Sequence, residues 1–130
     1  SMFQNCSNIT FLNLSSFKVD FVINLENMFN GCKSLKTLDI RNFKNSNANT
    51  VKYMFKDCSS LISLDLSNFQ LKTELIEGMF YNCKFLPFLD LKKFNTELIK
   101  DMSYVFYNCN KLKTLDVTSF VTDQVEYIKF

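Results

Sequence analysis

Residues 54–69 read Met54-Phe55-Lys56-Asp57-Cys58-Ser59-Ser60-Leu61-Ile62-Ser63-Leu64-Asp65-Leu66-Ser67-Asn68-Phe69, and this stretch recurs along the whole chain. Its cysteine returns at Cys6, Cys32, Cys83 and Cys109, with spacings of 26, 26, 25 and 26 residues. A period of this size marks a solenoid or array. The other columns keep register. Ile9, Leu35, Leu61, Leu86 and Leu112 follow each cysteine by three residues, and Phe17, Phe43, Phe69, Phe94 and Phe120 by eleven. Met2-Phe3, Met28-Phe29, Met54-Phe55, Met79-Phe80 and Val105-Phe106 precede it. The two Phe columns hold ten of the 15 phenylalanines, so the aromatic content is mostly an architectural demand.

Leu64-Asp65-Leu66 alternates apolar and polar residues, as a strand with one buried face does. The segment before each cysteine reads differently. Ile99, Met102, Val105 and Phe106 fall on one helical face, as do Val22, Leu25, Met28 and Phe29, and Val125 and Ile128 begin the pattern again. The spacing therefore predicts an α/β repeat of five units of about 26 residues, each a short parallel strand, a Phe-bearing turn and a short helix. The single-residue deletion falls between Phe69 and Met79, in the turn. Stacked units set their strands about 4.8 Å apart in one parallel sheet. No linker or second domain is visible, so residues 1–130 form a single solenoid domain.

Bulk composition narrows function. With 15 Lys plus Arg against 13 Asp plus Glu, the net charge is +2. That balance gives no reason to expect nucleic acid or an anionic membrane as partner. Histidine is absent, which excludes Ser-His, Cys-His and His-metal constellations in this chain. Gly occurs twice and Pro once, so the turns rest on Asn, Asp and Ser. No basic-then-apolar leader opens the chain, and Ser1-Met2 reads as a scar ahead of a trimmed fragment of a longer protein.

The units Met54-Phe55…Cys58…Leu61…Leu64-Asp65-Leu66-Ser67-Asn68-Phe69 and Phe94-Asn95-Thr96…Ile99…Met102-Ser103-Tyr104-Val105-Phe106-Tyr107-Asn108-Cys109 resemble the bacterial surface protein 26-residue repeat. That repeat is related to BspA-type leucine-rich repeats and is similar to those of mollicute lipoproteins and of Listeria and Lactobacillus surface proteins. The resemblance implies a right-handed leucine-rich-repeat-like solenoid, exposure on the cell surface with lipid anchoring in the full-length protein, and adhesion or protein binding, with no catalytic residues. Departures are Asn13 for Asp, Val105 for Met, and Val19, Asn45 and Leu71 where Thr is usual, expected to tune a surface.

Three constellations carry alternatives. The five cysteines form a line, so buried thiols are favoured over a disulfide or zinc site, and no cofactor is expected. Asp39, Asp65, Asp90 and Asp116, extended by Asn13, form a column open to a cation or basic partner; the favoured reading is that each takes local hydrogen bonds. The remaining strand-face columns vary, with Phe11 and Phe88 in one and Arg41 and Lys92 in another, as on a recognition surface or on unconstrained surface positions. Tyr53, Tyr81, Tyr104, Tyr107 and Tyr127 lie on or near the helix side and are expected to sit at the rim with no special role. Together these predict a non-catalytic surface module binding a host or cell-surface protein through Phe11, Phe88, Arg41, Lys92 and the Asp column. The alternative is a structural spacer or assembly element packing end to end. Neither end carries a polar capping repeat, so a homodimer through one solenoid end is expected, with Phe3, Leu12, Leu14 and Phe17 facing outwards at the first end.

Overall fold

The computed structural model describes residues 1–44 and 47–130, and among these it contains no helix. Five short strands follow in order: β1 (Phe11–Asn13), β2 (Thr37–Asp39), β3 (Ser63–Leu64), β4 (Phe88–Leu89) and β5 (Thr114–Leu115). All pairings are parallel and in the register of the repeat, Phe11 beside Thr37 beside Ser63, and Phe88 beside Thr114. A second ladder, one residue wide, links Asn24, Thr50, Leu75, Asp101 and Tyr127. The chain is thus a stack of coils, each touching the next along the second ladder and, except between the third and fourth coils, along the strands as well.

The expected strand-turn-helix unit is corrected by the segment before each cysteine. Its backbone N–H groups alternate in direction. Those of Leu25, Asn27, Phe29 and Gly31 donate across to the carbonyls of Thr50, Lys52, Met54 and Lys56 in the next coil, at 2.9–3.1 Å. Those of Met28, Asn30 and Cys32 donate back to Leu25, Asn27 and Phe29. The same alternation runs through Val51–Cys58. Residues four apart adopt the left-handed conformation: Asn27 and Gly31, Tyr53 and Asp57, Gly78 and Asn82, Tyr104 and Asn108, all with φ between 54° and 79°. Such a residue breaks a right-handed helix, and Gly, Asn and Asp accept it most readily. The apolar spacing that mimics a helix face is that of successive three-residue turns, whose spare N–H groups join the coils.

The expected single sheet is also corrected. In the residue before each strand, Lys36 N–H donates to Thr10, Ile62 N–H to Lys36, and Lys113 N–H to the carbonyl of Pro87. Pro87 occupies this column in the fourth coil and has no N–H to offer the carbonyl of Ile62. The strands accordingly fall into two sheets, β1–β2–β3 and β4–β5.

The core is built of columns. Phe3, Phe29, Phe55, Phe80 and Phe106 form a continuous stack, with centroids 5.6–5.8 Å apart and rings within 9° of parallel. Offset stacking at this spacing is favourable for aromatic quadrupoles. The carbonyl of each stacked Phe is held by cysteine. The Phe29 carbonyl accepts the N–H of Cys32 in its own coil and the thiol of Cys58 in the next. Cys32, Cys83 and Cys109 donate to Phe3, Phe55 and Phe80 in the same way, at 3.1–3.2 Å. The five cysteines are free thiols; Cys32, Cys58 and Cys83 are buried, while Cys6 and Cys109 in the end coils are half-buried.

Two further expectations change. Val19 and Leu71 are buried, so apolar side chains at that column are core residues and tune no surface; Asn45, in the same column, lies outside the described residues. Thr96 there satisfies its hydroxyl by accepting the N–H of Val121 and donating to its carbonyl. Leu14 is buried rather than outward-facing, because the first turn folds back over it.

Phe69 is fully enclosed, and Phe69→Ala is expected to destabilise by about 3–5 kcal/mol, read as a lower denaturant midpoint. Burial pushes the thiols of Cys32 and Cys109 up to about 11 and that of Cys58 higher still. The folded state therefore holds these protons more tightly than the unfolded chain. That part of the stability is complete below pH 9 and is lost as pH rises towards 11 and beyond. A thiol reagent at pH 8 should label Cys32, Cys58 and Cys83 only after denaturation, and rapid labelling of Cys58 in the native protein would contradict this packing.

Candidate functional site

The outward column of the strands contains Phe11 on β1, Thr37 on β2, Ser63 on β3, Phe88 on β4 and Thr114 on β5. Neighbouring Leu12, Leu38, Leu64, Leu89 and Leu115 turn inwards by the strand alternation, which forces the column out. Phe11 and Phe88 expose 61% and 58% of their surface. They do not form one clamp: two coils lie between them, a separation of roughly 14 Å at the spacing of neighbouring strands. What surrounds Phe88 is instead contributed by residues the sequence reading did not single out. Ile62 precedes β3, while Phe85 and Pro87 precede β4, and all three are exposed. An exposed apolar patch thus lies where the sheet is interrupted.

The acidic column is built into the turns that end the strands. Asn13 accepts the N–H of Ser15 through its side-chain oxygen, Asp39 that of Arg41, Asp65 that of Ser67, Asp90 that of Lys92 and Asp116 that of Thr118, at 2.9–3.2 Å. These are Asx turns, in which a short polar side chain holds the backbone two residues on. Asp39 is further occupied by a two-pronged ion pair with the Arg41 guanidinium, whose Nη2 lies 2.8 Å from Oδ2. The Arg41 side chain holds the Asp39 carboxyl below the usual carboxylate range, as Ser67 does for Asp65 and the Thr118 hydroxyl for Asp116. The structure therefore brings Arg41 onto Asp39, leaves Lys92 apart from both, and spends one oxygen of every carboxylate in the column on its own turn. Among the described residues no three Cys, Asp or Glu side chains converge as metal ligands.

Four of the five tyrosines, Tyr53, Tyr81, Tyr104 and Tyr107, gather on the side of the segment before each cysteine. Tyr81 stacks on Tyr107 at 4.7 Å, and Tyr104 meets both edge-on. The Lys56 ammonium lies 5.1 Å from the Tyr53 ring and 5.0 Å from that of Tyr81. The Tyr53 hydroxyl donates to Glu77, which also pairs with Lys52 at 2.6 Å, and burial raises the phenol pKa. Beside them, Asn108 donates to Asn82 and Asn82 to Asp57, each at 2.6 Å. The clustered polar atoms are largely paired with one another, and the cluster holds the left-handed backbone of Tyr53 and Tyr104 in place. Gly78 belongs to it: a Cβ there would lie 2.4 Å from the Tyr53 ring.

At the last coil an apolar hollow of about 580 Å³ opens on the end of the stack, lined among others by Val105, Phe106, Leu115, Val117, Phe120 and Ile128. No helix among the described residues is long and apolar enough to cross a membrane.

This is a stacked-coil repeat protein with an apolar patch on its strand side. The family described as Mycoplasma protein of unknown function, DUF285, matches residues 1–87 and 73–130, and the chain belongs to that family. No curated protein matches. Among solved structures the chain is similar to a leucine-rich repeat protein from Eubacterium ventriosum, at 24% identity and a TM-score of 0.44, over 78% of this chain and 24% of that one. The chain thus spans about a quarter of the length of that protein.

Asn13 makes the same turn bond as the aspartates, so Asp65→Asn should leave stability nearly unchanged. Asp65→Ala should cost about 0.5–1.5 kcal/mol, the net value of one such bond. Because Asp39, Asp65 and Asp116 have lowered carboxyl pKa values, their stabilisation is complete above the ordinary carboxylate value of 3.8 and falls away as pH drops below it. Acid titration of the Asp65→Asn variant should show a shallower loss than wild type.

Proposed function

We propose that this chain is a non-catalytic protein-binding module displayed at the cell surface, lipid-anchored in a longer protein, whose contact surface is the strand side. One observation carries the reading. Phe88 stands exposed on a strand whose other face is core, with Phe85, Pro87 and Ile62 exposed close to it in the repeat. Exposed aromatic side chains on a rigid frame, surrounded by polar positions, are the composition of a protein contact. The acidic column supports this as a frame: with one oxygen committed to each turn, it holds the presenting residues still. Arg41, Lys92 and the outer carboxylate oxygens of Asp65 and Asp90 form the polar surround, and Phe11 a second contact three coils away. A surface location is supported by the likeness of the repeat to those of bacterial surface proteins.

The test is capture of solubilised host surface proteins on the immobilised chain. Phe88→Ala and Phe85→Ala are each expected to weaken capture by about tenfold or more, the effect of removing an interface anchor, with the thermal midpoint unchanged. Capture lost only on changing Tyr104 or Tyr107 would move the contact surface to the turn side and overturn the reading.

A further inference from the structure

Resting on the strand-side reading of function, we propose that the partner is an extended acidic segment of a protein, in which two carboxylates flank an apolar side chain. The stretch from each cysteine to the inward strand leucine six residues later holds Lys33, Lys36, Lys84, Lys111 and Lys113 over the five coils, and no acidic residue. The chain has a net charge of +2, so these stretches, with five cations and no anion, stand against a net negative remainder. All five lysines are exposed. Among the described residues none of their ammonium groups has an ion pair, a hydrogen bond or a ring contact, whereas Arg41, Lys52 and Lys100 are committed to Asp39, Glu77 and Glu74.

The register of the repeat sets these charges around the exposed apolar patch. In the column just before each strand, Lys36, Ile62, Pro87 and Lys113 follow one another in successive coils. An ammonium group thus stands on each side of Ile62 and Pro87, with Phe88 next along the chain. Lys111 shares the column of Phe85 one coil on, and Lys84 precedes Phe85. The third coil contributes Ser59, Ser60, Ile62 and Ser63 to this surface and no charge. Across the coils the surface is therefore cationic, then apolar, then cationic again.

Lys36 and Lys113 are three coils apart, a separation of roughly 14 Å at the spacing of neighbouring strands. An extended peptide advances roughly 3.3 Å per residue and sends its residues i, i+2 and i+4 to one face. A segment lying across the coils therefore meets Lys36 and Lys113 with carboxylates at its first and fifth positions. Its apolar third side chain then rests on Ile62, Pro87 and Phe88. The column of Asp39, Asp65, Asp90 and Asp116 lies three residues further along each coil, roughly 10 Å from the lysines, and repels an acidic occupant that strays across the strands. A nucleic acid strand or an anionic membrane fits less well, because its charge is continuous where the third coil has no cation, and it would extend over those aspartates.

Fluorescence anisotropy with labelled probes tests this. The probes are a peptide with aspartate at its first and fifth positions and leucine at its third, its counterpart with asparagine in place of both aspartates, and a single-stranded oligonucleotide; phosphatidylserine vesicles are assayed by co-sedimentation. The aspartate peptide is expected to bind about three- to tenfold more tightly than the asparagine peptide, and added salt to remove the difference. Lys36→Gln and Lys113→Gln should each weaken that binding about two- to fivefold with the unfolding midpoint unchanged. Lys72→Gln, exposed and outside these stretches, should leave it unchanged. Equal binding of the two peptides, no binding of the aspartate peptide up to about 1 mM, tighter binding of the oligonucleotide or the vesicles, or an equal effect of Lys72→Gln overturns the acidic partner. Host-protein capture that falls with Phe88→Ala but withstands Lys36→Gln combined with Lys113→Gln also overturns it and leaves strand-side binding standing, so the two failures are distinguishable.

Discussion

Alternate backbone N–H groups before each cysteine point at the next coil, and the rest of the structure depends on that division. A helix satisfies its donors internally and packs through side chains alone. Here Phe29 N–H reaches Met54 while Cys32 N–H turns back to Phe29, so the backbone itself joins neighbouring coils. The division requires left-handed residues at fixed intervals, and they stand at Asn27 and Gly31, Tyr53 and Asp57, Gly78 and Asn82, Tyr104 and Asn108. Non-glycine residues in that region carry a cost of about 1–3 kcal/mol where the side chain is bulky. The lysine-tyrosine cluster over Tyr53 and Tyr104 offsets it where no Asn or Gly is present.

Given that backbone, the side-chain columns follow. Coils joined at this spacing set one Phe directly over the next, and the ring stack results. The carbonyls of Phe3, Phe29, Phe55 and Phe80 then each have one lone pair used by their own turn and one facing the cysteine of the next coil, whose thiol reaches it at 3.1–3.2 Å. Cysteine is small enough for the interior and still donates. The thiol ladder is a hydrogen-bonding element, and its raised pKa values are the electrostatic expression of that burial.

Much of this was readable from the repeat. The cysteine, Phe and Leu columns identify the stack, its register and its core, because a period of 26 with fixed apolar positions has few other solutions. The helix was misread because apolar spacings of three and four are shared by a helix and by successive tight turns. The discriminating signal lay immediately before each cysteine, where Asn5, Gly31, Asp57, Asn82 and Asn108 are all residues that tolerate a left-handed backbone. The break in the sheet was also written in the chain, as its single proline, but Pro87 acquires that meaning only once its column is known to donate across coils. The patch around Phe88 was half visible. Phe85 and Ile62 adjoin the core residues Leu86 and Leu61, and periodicity alone does not say on which side of the corner they fall.

The central claim, that the backbone before each cysteine bonds across coils and not along a helix, is open to direct measurement by scalar coupling through hydrogen bonds in the labelled protein. The expected result is coupling from the amide nitrogen of Phe29 to the carbonyl carbon of Met54, and from that of Phe55 to Met79. Coupling from Phe29 to Leu25 and from Phe55 to Val51, four residues back along the same coil, would be a helix and would contradict the account.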